Sequence, residues 1–145
     1  GEPVAVFDLA LDYATATRVA VAFPAHVDAQ ARDAVVGLFE ALGKRVSVLD
    51  DAPGLVVART VAMLVNEAAD ALQQDLASAD DIDAAMTRGV NYPLGPLAWG
   101  RKDGLHYFSA VLTHLAMAYG EDRYKVSPWL RREVQTQHIG ARAHG

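Results

Sequence analysis

LASADDIDAAMTRGVNYPLGPLAWGRKDGL, residues 76 to 105, decides the fold, because its helix starts and stops can be read from residue chemistry. Ser78 is a good N-cap: its hydroxyl can accept one of the backbone N–H groups left open at a helix start. Asp80 and Asp81 then place negative charge on the first turn, at the positive end of the helix dipole. The helix runs through Ile82 and Met86 and stops at Gly89, for which a left-handed conformation is expected. Residues 90 to 96 cannot be helical throughout, since Pro93 restricts Tyr92 and Pro96 restricts Gly95. Pro96 suits the first turn of the next helix, which carries Leu97 and Trp99 and ends at Gly104. The stretch reads as a helix, a proline-stiffened corner and a second helix.

Downstream, residues 105 to 119 make a further helix with Phe108, Val111, Leu112 and Leu115 facing inward, stopped by Gly120. Ser127 and Pro128 open a last helix through Trp129, Leu130 and Val134. After Gln135 the chain turns polar and is expected to fray. Upstream, residues 55 to 76 carry Leu55, Ala58, Ala62, Val65, Ala69 and Leu72 along one side, with Val56, Met63, Leu64 and Ala68 on a second. A helix so widely apolar belongs at the centre of a bundle or in a dimer interface. Asp51-Ala52-Pro53-Gly54 is turn chemistry and marks a boundary.

Ahead of that boundary, residues 4 to 9, 18 to 23 and 45 to 50 are short Val-rich runs compatible with strands. Between the last two, Val27, Ala31, Ala34, Val35, Leu38, Phe39 and Leu42 recur at helical spacing, and Gly43 stops that helix. Lys44 and Arg45 follow where they favour the negative end of its dipole. Strand, helix and strand in this order form a βαβ unit with an expected right-handed crossover. The fold class is mainly α: a small βαβ-type segment over residues 1–52, a helical domain over 53–135 and a polar tail over 136–145.

Composition limits what such a chain does. Its 145 residues suffice for a real core, and 52% apolar against 21% charged residues is ordinary globular usage. A net charge of −5 argues against nucleic acid, which needs clustered positive charge, and against a membrane surface. There is no cysteine, hence no disulfide framework, thiolate nucleophile or Cys-based metal site, which fits a cytoplasmic protein. No apolar run approaches the roughly 20 residues that span a bilayer.

Three stretches in order resemble the C-terminal domain of 3-hydroxyacyl-CoA dehydrogenases. Residues 41 to 60 (ALGKRVSVLDDAPGLVVART) resemble the family's link from its last Rossmann strands into the helical domain. Residues 76 to 105 resemble its central signature, with Gly89, Pro93, Gly95, Pro96 and Gly104 at matched spacing, and residues 119 to 134 (YGEDRYKVSPWLRREV) its terminal element. The chain looks closest to the long form found in phenylacetate degradation, in which a shortened second unit follows a complete first one. The resemblance then implies that residues 4 to 49 are the remnant of a Rossmann half.

Members of the family oxidise the 3-hydroxyl of an acyl-CoA by hydride transfer to NAD, using a His–Glu general base on the Rossmann domain. Neither its HFFNP-like motif nor a GxGxxG fingerprint occurs here, so the resemblance implies no catalytic residue and no cofactor for this chain, NAD belonging to the full-length enzyme. His26, beside a helix start, reads as a solvated capping residue. Where the family has the Asn of a PGFIVNR-like pattern, holding the substrate's carbonyl side, this chain has Ala58. His106 and His114, roughly two turns apart on one helix, read as surface histidines. Asp80, Asp81 and Asp83 read as a charged first turn rather than a cation site, and Glu67 and Asp70 as structural or interface pairing. The candidate substrate-pocket or dimer surface is Val57, Ala58, Asn91, Tyr92, Pro93, Leu94, Gly95 and Pro96. No metal site is expected. The implied partners are an upstream Rossmann domain, an acyl-CoA and a second copy paired through the helical domain. A free-standing, non-catalytic helical interaction module is the alternative.

Overall fold

The computed structural model describes residues 4–143 of the chain, with side chains through residue 137. It divides into two compact units, residues 1–58 and 59–145.

In the first unit β1 (Val6–Phe7), β2 (Arg18–Ala22) and β3 (Arg45–Leu49) form one sheet in the order β1-β2-β3. β2 and β3 are parallel with Val19 beside Val46 and Val21 beside Val48, and α1 (Ala29–Ala41) connects them, as a βαβ unit requires. β1 adds a short antiparallel edge. Val19, Val21, Phe23 and Val27 are buried, and Val35, Val36 and Phe39 of α1 pack on them. Asp28 caps α1, accepting from the Ala31 amide at 2.8 Å. His26 is exposed and is not the cap, correcting the expectation for that residue. Gly43 stops α1 as expected, with φ +75° and Lys44 N–H closing on the Phe39 carbonyl at 3.0 Å. The Lys44 ammonium does not serve the α1 dipole. It donates to the carbonyls of Tyr13 and Ala16 at 2.7 and 2.8 Å and pins the turn before β2.

α2 (Val57–Gln73) opens at the end of this unit and runs into the second. It is shorter than residues 55–76. Gly54 and Leu55 both have positive φ, and Asp75, at φ +57°, lets Leu76 N–H turn back to the Ala71 carbonyl. Ala62, Val65 and Ala69 are fully buried, so its apolar stripe goes into the intrachain core. Leu76, the expected end of this helix, is 71% exposed.

α3 (Ala79–Ala84) starts at Ser78, whose hydroxyl accepts from Asp81 N–H at 3.2 Å and donates to the Asp81 carboxylate at 2.7 Å. It widens into a π turn over Ala85–Gly89. The wider turn moves the left-handed residue from Gly89 to Asn91 (φ +60°), and Tyr92 N–H closes on the Met86 carbonyl at 3.2 Å. The expected left-handed Gly89 is therefore wrong, and Asn, a residue that tolerates this conformation, takes the role. α4 (Pro96–Asp103) has its proline in the first turn, and Gly104 (φ +97°) ends it. α5 (Leu105–Tyr119) buries Leu105, Phe108, Val111, Leu112 and Leu115 and ends at left-handed Gly120. A 3-10 turn (Asp122–Tyr124) leads to α6 (Pro128–Ala143). The helix continues past Gln135, contrary to the expected fraying there, and the last two residues of the 136–145 segment lie outside the described residues.

Candidate functional site

The head of α2 carries the most informative chemistry of the first unit. Asp8, directly after β1, is 4% exposed. Its Oδ2 accepts from the amides of Val56 at 2.9 Å and Val57 at 2.7 Å, and its Oδ1 accepts from Ala58 at 2.9 Å and Leu9 at 2.8 Å. A carboxylate sited there satisfies open N–H groups and meets the positive end of the helix dipole. This clasp offsets the cost of holding buried Leu55 at φ +43°, a conformation few non-glycine residues adopt. Ala58 itself is buried at 3% and offers only a methyl group. Val57 is half-buried.

A dinucleotide does not fit this unit. In a βαβ fold the pyrophosphate takes the helix N-terminus behind a glycine-rich turn. Between β2 and α1 there is no glycine, and the Asp28 carboxylate already occupies the α1 N-terminus.

In the second unit the corner over residues 91 to 96 is held from α3. Asp83 accepts from the amides of Leu97 and Ala98 at 2.8 Å each and pairs with Arg101 at 3.2 Å. It caps α4 from outside, so its role is neither a cation site nor merely charge on the first turn of α3. Among the described residues no group of three acidic or histidine side chains could hold a metal. Gly95 is required here, because a Cβ would collide with the Asp83 side chain. Gly95 and Pro96 are buried, Tyr92 and Leu94 half-buried, and Asn91 and Pro93 exposed. Asn91 and Pro93 form the exposed rim of the corner.

Two further constellations join α2 to the chain's last helices. Asn66, 5% exposed, donates to the Lys125 carbonyl at 3.0 Å and accepts from Ser127 N–H at 2.8 Å. Ser127 then caps α6 through Leu130 N–H at 3.2 Å. Arg59 lies over the rings of Tyr119 and Tyr124, 4.8 and 5.8 Å from their centroids, and donates to the Tyr124 hydroxyl at 3.2 Å. Desolvation works against its charge, but the Tyr119 and Tyr124 hydroxyls and their charge interaction with it outweigh that, holding the guanidinium above its usual range. It borders a cleft of about 330 Å³ with Met63, Leu64 and Tyr124. Glu67, His106 and His114 are exposed, and Asp70 accepts from Gln74 at 2.6 Å.

Asp8 and Asn66 were missed by sequence reasoning. The available signal was an acid inside the apolar run VAVFDLAL and an amide on the apolar side of a helix, since buried polar groups need partners.

Residues 54–145 match the family described as 3-hydroxyacyl-CoA dehydrogenase, C-terminal domain, and residues 1–53 match the 3-hydroxybutyryl-CoA dehydrogenase reduced Rossmann-fold domain. The chain is 50% identical over 92 residues to a 3-hydroxyadipyl-CoA dehydrogenase of Escherichia coli (strain K12), covering 63% of this chain and 19% of that protein. It is 33% identical over 108 residues to a 3-hydroxybutyryl-CoA dehydrogenase of Clostridioides difficile, covering 74% of this chain and 38% of the relative. The chain thus spans 19% and 38% of the length of these relatives. A solved 3-hydroxybutyryl-CoA dehydrogenase from Escherichia coli K12 superposes with a TM-score of 0.79 at 42% identity, covering 83% of this chain and 25% of that one.

Proposed function

This chain belongs to the 3-hydroxyacyl-CoA dehydrogenase family, and we propose that it is the architectural, non-catalytic half of a longer NAD-dependent member, of the form associated with phenylacetate degradation. A complete unit elsewhere in that polypeptide carries the nucleotide site and the His–Glu base and oxidises a 3-hydroxyacyl-CoA to the 3-oxoacyl-CoA. The present chain contributes a helical pairing surface and a cover over the acyl chain, with Asn91 and Pro93 on the exposed rim of the corner. The observation carrying this reading is the head of α2. The amides of Val56, Val57 and Ala58 are already bonded to Asp8, and by the resemblance Ala58 stands where the family presents an Asn. A methyl group neither donates nor accepts, and a helix N-terminus with its N–H groups taken cannot hold an acyl oxygen.

The relative at 50% identity is named a 3-hydroxyadipyl-CoA dehydrogenase, which makes short 3-hydroxyacyl-CoAs, dicarboxylic ones included, the substrates to test on the whole enzyme. Met117, 79% exposed on α5, supports the pairing role. The test is an assay of this chain alone for NADH formation from 3-hydroxybutyryl-CoA and NAD, with calorimetry against NAD and acetoacetyl-CoA. No NADH, no NAD binding and weak or absent CoA binding are expected; turnover by the isolated chain overturns the reading.

A further inference from the structure

β3 ends the sheet, and its outer edge is unpaired among the described residues. Arg45 N–H donates to the Thr17 carbonyl at 2.9 Å, on the β2 side. Strand alternation therefore turns the backbone groups of Arg45, Ser47 and Leu49 toward β2 and those of Val46, Val48 and Asp50 outward. Beside this edge Val48, Leu38 and Leu42 are 60%, 59% and 63% exposed with the whole chain present. Leu38 lies on the β3 flank of α1, because the adjacent Phe39 is turned to the opposite edge, its ring 6.3 Å from that of Phe7 on β1. An open strand edge flanked by exposed apolar side chains and carrying no proline invites another strand.

The residues of that edge identify the strand. Lys44-Arg45-Val46-Ser47-Val48-Leu49-Asp50-Asp51 reads basic, basic, apolar, Ser, apolar, apolar, acidic, acidic, so the segment is complementary to itself when reversed. We propose that β3 pairs antiparallel with β3 of a second copy of this chain, about a two-fold axis at Ser47. Val46 then faces Val48 of the second copy on both sides of the axis, and these outward residues exchange their backbone hydrogen bonds. Exposed Arg45 lies diagonal to exposed Asp51 of the second copy, while the Lys44 ammonium stays with the Tyr13 and Ala16 carbonyls. The geometry also suits the helices. With strands about 4.8 Å apart and each α1 above its own β2 and β3, the two α1 axes come roughly 10 Å apart, the spacing of packed helices. Leu38 and Leu42 of both copies are then covered. This surface is separate from the helical pairing surface of the proposed function.

The chain has no cysteine, so Ser47→Cys places a single thiol at the proposed axis. Opposed residues of a non-hydrogen-bonded antiparallel pair have Cα atoms about 4.5 Å apart, within disulfide range. Under oxidation Ser47→Cys is expected to give a covalent dimer of the 15.5 kDa chain, and Thr15→Cys, in the exposed turn before β2, is not. In sedimentation equilibrium Arg45→Glu is expected to weaken association about tenfold by opposing like charges, and Arg45→Glu with Asp51→Arg to restore it. Val48→Pro removes an outward N–H that β2 does not use, and should abolish the association that Arg45→Glu weakens, with the circular dichroism spectrum unchanged. A monomer at all concentrations overturns the proposal, as does a Ser47→Cys chain that stays uncrosslinked. Association that ignores Arg45→Glu and Val48→Pro but is lost in Met117→Glu also overturns it, while upholding pairing through the helical unit.

Discussion

Asp8→Asn removes a charge and almost no volume, yet it should destabilise the chain nearly as much as Asp8→Ala. Each carboxylate oxygen serves two amides: Oδ1 those of Leu9 and Ala58, and Oδ2 those of Val56 and Val57, all between 2.7 and 2.9 Å. An Asn amide has one acceptor oxygen and one NH2 group. Whichever way it is turned, two backbone N–H groups then face a donor. Hydrogen bonds to a charged group contribute about 1.5–3 kcal/mol each. The lost charge at the α2 N-terminus adds about 0.3–2 kcal/mol. Water recovers part of this at Val56, which is exposed, so the net loss is about 3 kcal/mol for Asp8→Asn and similar for Asp8→Ala. At an ordinary N-cap Asp and Asn are nearly equivalent and Ala costs about 1 kcal/mol, so the grouping of Asn with Ala is diagnostic. Urea unfolding followed by circular dichroism reads the effect as a lower midpoint at unchanged slope. Thermal melting of a chain this size should fall by about 2–4 °C per kcal/mol. An Asp8→Asn chain within about 0.5 kcal/mol of the parent would refute the four-donor account, because one oxygen would then suffice.

Asp83→Ala removes the acceptor for Leu97 and Ala98 and the Arg101 pair, and should cost about 1–2 kcal/mol in the same unfolding assay. Gly95→Ala should cost about 1–3 kcal/mol, since its Cβ meets the Asp83 side chain, and combining it with Asp83→Ala should cost less than the sum. Asn66→Asp keeps the acceptor for Ser127 N–H but leaves the Lys125 carbonyl unpaired and buries a charge; a loss of about 2–3 kcal/mol is expected, larger than for exposed Glu67→Gln. Gly89→Ala should be neutral or stabilise by up to about 1 kcal/mol, because Gly89 lacks positive φ and a Cβ there meets nothing within 4 Å. Asn91→Ala, at φ +60°, should instead cost about 1 kcal/mol, and thermal melting of the two variants reads the contrast.

Local chemistry was written plainly in the chain. Ser78, Pro96, Gly104 and Gly120 act on their own helix ends, within a few residues of where they stand, and each boundary they mark is found. The βαβ order followed from the two Val-rich runs flanking a helical period, because period two and period 3.6 are properties of consecutive residues. Gly89 shows where that reasoning stops: the turn it was expected to close widens by one residue, and Asn91 closes it instead.

The sequence by itself determined the helical architecture and the family resemblance, both of which depend on residue identity at short spacing. Only the tertiary structure decided what fills the helix starts. Asp8 lies fifty positions before Ala58 and Asp83 fourteen before Leu97, so neither clasp follows from any local period. Both exist because a helix start leaves N–H groups open, and folding brings a distant carboxylate to fill them. In the same way the unpaired edge of β3 is no property of its five residues. It arises because, among the described residues, the sheet ends there.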